Sequence, residues 1–229
     1  MKMHGVIDCD RDTVMCVACG STSTSSPTNY CTSHFWHRRT KPVTKEWSDC
    51  HRAKAEADGV LWREVEKFAW HPEYDNSTVE SDIAVITLKE PLIWSDHVSP
   101  ACLAKAPLDR TVPQECYVTG WGRIFEGGDL SDVLRQAHVN VLQDKYCDQD
   151  VTPDQFCAGN MVGHKYPWGI QDSCQKDSGG PLVCHVGDGR FEVFGVVSWG
   201  TGCARIGHPG WYANVTHFSE WIDEKIKLN

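Results

Sequence analysis

Residues 172–184 read Asp172-Ser173-Cys174-Gln175-Lys176-Asp177-Ser178-Gly179-Gly180-Pro181-Leu182-Val183-Cys184. A polar run closes on two glycines and a proline, and a short apolar segment follows at once. Glycines at such a turn let backbone approach another molecule closely. A serine beside them is a candidate nucleophile, provided that a base takes its proton and backbone N–H groups stabilise the oxyanion. A lone Ser-Gly-Gly is more often a linker than a site, so the flanking residues decide.

Working outward, short apolar segments recur between turn residues: Ile83–Leu88, Cys116–Trp121, Val139–Leu142, Pro181–Cys184 and Val193–Trp199. Many short strands separated by Gly and Pro turns predict an all-β sandwich or barrel. At the C-terminus the period changes. Phe218, Trp221, Ile222, Lys225 and Ile226 share one face of a helix, with Thr216 placed to cap it. That face reads as core packing against the barrel. Residues 1–60 differ from the rest: they are polar and irregular, hold the low-complexity run 20–27, and show little strand alternation. The division is therefore an atypical Cys/Ser/Thr-rich segment over 1–60, expected to be irregular or disordered, and a folded domain over 61–229.

The net charge of −9 argues against an extended phosphate-binding face, so no nucleic-acid partner is expected. No apolar run of about 18 residues offers a membrane span. The chain holds twelve cysteines, seven of them spread singly from Cys102 onward, which suits a disulfide framework in an oxidising compartment. The chain is thus expected to be extracellular. Asn76-Ser77-Thr78 and Asn214-Val215-Thr216 fit the N-glycosylation pattern and agree with that compartment. Residues 1–20 show no apolar leader, because Asp8, Asp10, Arg11 and Asp12 interrupt it. Cys16, Cys19, Cys31 and His34 have the ligand types of a Cys3His zinc site. Among so many cysteines that look oxidised, disulfides are the preferred reading. No metal or cofactor is expected.

The run 172–181 resembles the active-site segment of the chymotrypsin/trypsin family of serine proteases. Further matches follow in family order: His71–Asp75, Asp82–Val85, Val98–Leu103, Gly120-Trp121-Gly122, Phe156–Gly159, Ser198-Trp199-Gly200 and Pro209–Tyr212. They cover roughly residues 62–229. The resemblance implies two antiparallel β-barrels with a C-terminal helix, the first barrel incomplete and recognisable only from about Leu61 to Leu88. An incomplete barrel would expose sheet edges and predicts low stability. The resemblance further implies Ser178 as nucleophile and Asp82 as the buried carboxylate that orients a histidine. Lys176 and Ser178 would supply the oxyanion N–H groups. Asp172 matches the floor of the primary specificity pocket, with Gly200 and Gly210 as walls open enough for Arg or Lys. Ser198, Trp199 and Gly200 match the edge segment that pairs with substrate backbone. Disulfides Cys116–Cys184, Cys147–Cys157 and Cys174–Cys203 are implied too. Cys102 would bond one of Cys9, Cys16, Cys19, Cys31 and Cys50.

Three departures bear on function. No Ile-Val-Gly-Gly start is present, so the ammonium that normally meets the aspartate before the nucleophile, here Asp177, has no visible source. Arg123–Gly128 resembles that start only superficially, since it follows Gly120-Trp121-Gly122 as a surface loop. The family's Thr-Ala-Ala-His-Cys segment is also absent. Candidate bases upstream of Asp82 are His4, His34, His37, His51 and His71. His37 lies 45 residues before Asp82, close to family spacing, though Phe35-Trp36-His37-Arg38-Arg39 has other neighbours. Finally, Lys176 replaces glycine. If that position needs a positive φ, lysine costs on the order of 1 kcal/mol there. The reading is an endopeptidase that cleaves polypeptides after Arg or Lys, with protein inhibitors and an upstream activating protease as further partners. The alternative is a non-catalytic homologue, or a truncated isoform, that binds proteins through the same cleft.

Overall fold

The computed structural model describes residues 16–17, 65–91, 93, 100–112, 114–159, 171–187 and 189–227. Ten strands and one α-helix are present among them, and most of these elements lie beyond residue 100. Strands β1 (Cys16–Val17), β2 (Val65–Trp70) and β3 (Ala84–Leu88) form one antiparallel sheet in the order β1-β3-β2. Its central strand is the expected Ile83–Leu88 segment, one residue shorter. Apolar residues on both of its faces are buried, as a strand between two layers requires.

The second sheet contains β4 (Cys102–Leu103), β5 (Cys116–Gly120), β6 (Arg135–Val141), β7 (Gln155–Gly159), β8 (Pro181–His185), β9 (Phe191–Trp199) and β10 (Gly210–Asn214). Its order is β10-β7-β6-β5-β8-β9-β4, and β10 also pairs with β9. That last pairing closes a six-stranded barrel and removes its open edges. Strict alternation in β5, buried at Cys116, Val118 and Gly120, points every second side chain inward. Val118, Val139, Val141, Phe156, Leu182, Phe194, Val197 and Tyr212 fill the interior.

The helix α1 spans Ser219–Lys227. Its expected face holds: Phe218, Trp221, Ile222 and Ile226 pack with Ile83 and Val85 of the first sheet and with Val193, Val196 and Val215 of the barrel. This shared cluster locks the two sheets together. The expected cap does not hold. The Thr216 hydroxyl donates to Asn214 Oδ1 (2.7 Å), and Ile222 N–H donates to Phe218 O (2.8 Å). The first intrahelical bond therefore starts at Phe218, whose burial outweighs the capping preference of threonine.

Cys116–Cys184, Cys147–Cys157 and Cys174–Cys203 are disulfide-bonded, the same three pairs that the resemblance implies. Cys102 is disulfide-bonded as well. The partners expected for it, the zinc candidates, and His4, His34, His37 and His51 lie outside the described side chains.

Candidate active site

Asp82 follows a closed turn. Val79 N–H donates to Asp75 O (2.8 Å) and Asp75 N–H to Glu80 O (3.2 Å). Asp75 Oδ1 accepts from the Ser77 hydroxyl (2.5 Å) and the Ser77 N–H (2.7 Å), and these donors hold its carboxyl below the usual range. The chain leaves this turn through two left-handed residues, Val79 (φ 59°) and Ser81 (φ 52°). Such conformations are rare for side-chain-bearing residues and rarest for β-branched ones, each costing on the order of 1–3 kcal/mol. Asp82 then enters the core with 3% exposure, and the Ser198 hydroxyl donates to its Oδ2 at 2.5 Å.

Ser178 sits in the tight turn before β8. Asp177 N–H donates to Cys174 O (3.0 Å) and Gly180 N–H to Asp177 O (2.8 Å). Lys176 has φ 79°, the left-handed conformation for which its family glycine is suited, so the lysine carries strain of about 1 kcal/mol. The turn is stitched to β9 in both directions. Gly179 N–H donates to Val197 O (2.8 Å), and Val197 N–H donates to Gly180 O (2.9 Å). Strand β9 thus holds Ser178's turn at Val197 and Asp82 at Ser198. Two residues 96 positions apart in sequence are brought to adjacent points of one strand.

The Asp177 carboxylate lies beneath this turn. Oδ1 accepts from Gly122 N–H (2.8 Å) and Oδ2 from Cys174 N–H (2.9 Å). Burial pushes its pKa up, and the two amides act against that shift. A Cβ built on Gly120 would fall 1.9 Å from Asp177 Oδ1, and one on Gly122 would fall 2.5 Å away. Glycine in Gly120-Trp121-Gly122 is therefore a condition for this carboxylate to occupy its place.

Asp172 faces the other side of the same segment. Its Oδ1 accepts from Ser173 N–H (2.8 Å) and its Oδ2 from Ala204 N–H (3.0 Å). Burial raises its pKa to about 6, with those two backbone donors opposing. Gly210 and Gly200 approach each other closely, since a Cβ on Gly200 would meet Gly210 Cα at 3.7 Å. A Cβ on Gly210 would lie 2.9 Å from Asp172 Oδ1, so only hydrogen there leaves the carboxylate its room. The Cys174–Cys203 disulfide ties the segment carrying Asp172 to the segment carrying Gly200 and Ala204. Beside it, the Trp199 ring stacks on Trp211 (5.1 Å between centroids, 3° between planes). The two indoles donate to Gln155 Oε1 (3.1 Å) and Asp148 Oδ1 (3.0 Å), which fixes the Ser198–Gly200 segment.

A family model described as Trypsin matches residues 18–222. The chain belongs to the trypsin family. This trypsin-family chain is 40% identical over 174 residues to the serine proteinase stubble of Drosophila melanogaster, covering 72% of the chain and 21% of that protein. It is 32% identical over 216 residues to transmembrane protease serine 11A of Homo sapiens, covering 92% of the chain and 50% of the relative. Transmembrane protease serine 9 of Rattus norvegicus is 37% identical over 159 residues, 67% of the chain and 14% of the relative. The chain thus spans half or less of the length of these relatives. Among the described residues, no helix of this trypsin-family chain is long and apolar enough to cross a membrane.

Of the candidate bases, His71 is described. Its ring packs edge-on against Trp221 (4.9 Å) and Phe218 (5.0 Å), and its Nδ1 accepts from Glu73 N–H (3.3 Å). Burial pushes its pKa down. His71 is occupied at the joint between the first sheet and α1. His37 lies outside the described residues. Sequence reading overlooked Asp154, whose Oδ2 accepts from Ser81 N–H at 2.6 Å. The only sequence signal for it was a position just before the Phe156–Gly159 motif, which does not foretell a contact to residue 81.

Proposed function

We propose that this chain hydrolyses polypeptides on the carboxyl side of Arg or Lys through an acyl-enzyme. The observation that carries the proposal is strand β9, bonded at Val197 to the Ser178 turn and at Ser198 to Asp82, with the buried Asp172 carboxyl held by Ala204 N–H just beyond its end. In this reading Ser178 Oγ attacks the scissile carbonyl carbon and its proton passes to a histidine. His37 is the candidate by spacing. Asp82 holds the imidazole's orientation and stabilises its cation. Backbone N–H groups of Lys176 and Ser178 stabilise the oxyanion. Collapse of the tetrahedral intermediate breaks the C–N bond, and the amine leaves with the proton from the imidazolium. Water then repeats the sequence on the ester and frees Ser178.

Specificity follows from Asp172. A carboxylate whose pKa is raised by burial gains most from a cation that replaces lost solvation. Guanidinium and ammonium both supply that charge, and glycine at 200 and 210 leaves space for a long side chain. Ser198–Gly200 would receive the substrate backbone as an added strand. An extracellular location agrees with the three described disulfides and with Cys102 being oxidised. Protein inhibitors that mimic substrate, and a protease that processes the chain, complete the proposed partners.

The test is turnover of an Arg-amide substrate by the full chain, with Ser178→Ala as control. Turnover that disappears in Ser178→Ala supports the proposal. Equal rates for both would overturn it in favour of a homologue that binds proteins without cleaving them. His37→Ala tests the base separately: unchanged turnover removes His37 from the mechanism.

A further inference from the structure

We infer that Asp154 is a positioning residue, which holds Asp82 in place by gripping the backbone just before it. This rests on the protease reading above, and it concerns a residue that no part of the family motif contains. Four observations point the same way.

The first is the contact itself. Asp154 Oδ2 accepts from Ser81 N–H at 2.6 Å, across 73 residues of sequence and between the barrel and the first sheet. Second, it is a buried contact, with Ser81 at 7% exposure and Asp154 at 8%. A carboxyl group so enclosed is retained only with partners, and removing it leaves the Ser81 amide without its acceptor. Third, Asp154 is itself rigid. It precedes β7, and its carbonyl accepts from Asn214 N–H (2.8 Å) at the end of β10. The carboxylate is therefore mounted on the closed barrel rather than on a loose loop.

The fourth is strain. Ser81 holds φ 52° and Val79 holds φ 59°. Left-handed backbone at a non-glycine persists only where surroundings over-determine it, and such residues cluster at functional sites. Ile83 N–H donates to Ser81 O (2.8 Å), so the chain turns sharply with Asp82 at its apex. Without Asp154, Ser81 would relax toward ordinary φ, and the direction of the Asp82 side chain would swing with it. Ser198 holds only the carboxylate's far end. Asp154 and Ser198 thus clamp Asp82 from its backbone side and its oxygen side, and both come from the barrel.

The experiment compares the full chain with Asp154→Ala and Asp154→Asn. Asparagine keeps an oxygen that accepts from Ser81 N–H, whereas alanine does not. Steady-state hydrolysis of an Arg-amide should show kcat lowered about tenfold or more in Asp154→Ala with KM little changed, because the pocket around Asp172 is untouched. Asp154→Asn should keep kcat within about threefold. Hydrogen exchange of the Ser81–Ile83 amides should speed up in Asp154→Ala and stay slow in Asp154→Asn. Equal kcat in wild type and Asp154→Ala would overturn the inference, as would an equal loss in both variants. If wild type neither turns over substrate nor reacts with a fluorophosphonate at Ser178, the protease reading fails on its own. The exchange arm then decides the inference: unchanged exchange at Ser81–Ile83 in Asp154→Ala overturns it, and faster exchange sustains the clamp on Asp82.

Discussion

Replacing Asp172 with asparagine separates the electrostatics of this buried carboxyl from the packing around it. Burial raises the Asp172 pKa from 3.8 to about 6. In the unfolded chain the group titrates at its ordinary value, so between those two values the folded protein binds more protons. Stability contributed by this group is fully present below about 3.8 and is lost as pH rises through about 6. The interval of about 2.2 pKa units corresponds to about 3 kcal/mol at about 1.4 kcal/mol per unit. Asp172→Asn abolishes the titration. It also turns an amide NH2 toward either Ser173 N–H or Ala204 N–H, a mismatch of about 1–3 kcal/mol that is the same at every pH. Urea unfolding with disulfides intact, run from pH 3.5 to pH 8 on both proteins, isolates the pH-dependent part. The variant should gain about 3 kcal/mol relative to wild type across that range, with most of the change between pH 4 and pH 6. A difference that stays constant with pH would refute the claim that Asp172 is buried without a compensating charge.

Two further outcomes follow from the same geometry. Gly120→Ala should destabilise the fold by about 3 kcal/mol or more, because its Cβ would fall 1.9 Å from Asp177 Oδ1 and expel a carboxylate that two amides hold. Gly127→Ala, at φ 70° with nothing within 4 Å, should cost only about 1 kcal/mol; similar losses for both in denaturant titration would contradict the clash. On expression in a glycosylating host, Asn76→Gln should remove a glycan-sized mass increment and Asn214→Gln should not. Asn76 is exposed, whereas the Asn214 side chain donates to Pro153 O (2.9 Å) and accepts from Thr216; the opposite pattern in intact mass would refute this.

The all-β class was legible because the barrel strands are short apolar runs bounded by Gly and Pro, and Cys116–Gly120 alternates as a half-buried strand should. Gln155–Gly159 and Gly210–Asn214 are strands too, yet their local pattern was unremarkable. Both are buried along nearly their whole length, and a short run buried on two faces has no periodicity to read. The α1 face was visible in spacing, while its start was not. The cap preference of Thr216 is a local effect of about 1 kcal/mol, and burying the Phe218 ring exceeds it. Lys176 was legible in a different sense. Its departure from glycine marked a backbone demand, and φ 79° is that demand. Asp154 could not be read at all, because its contact depends on where two separate sheets meet.

That meeting point explains why the candidate site draws on such distant residues. Strand β9 pairs with β8 and β10, touches β4, bonds the Ser178 turn at Val197, and presents Ser198 to Asp82. Two residues further on, Gly200 comes close to Gly210, which in turn lies against Asp172. A single nine-residue strand therefore sets the distance from the Ser178 turn to Asp82, and its end leads into the segment beside Asp172. Its interior residues Val193, Val196 and Val197 are buried in the barrel core or in the cluster shared with Ile83, Phe218 and Ile222. Errors in packing there would move every part of the site together rather than one at a time. Asp82 is the exception, since the strand that it leads into, β3, belongs to the other sheet. In the clamp inferred above, Asp154 gives it a second tie to the barrel through Ser81 N–H, beside the one from Ser198.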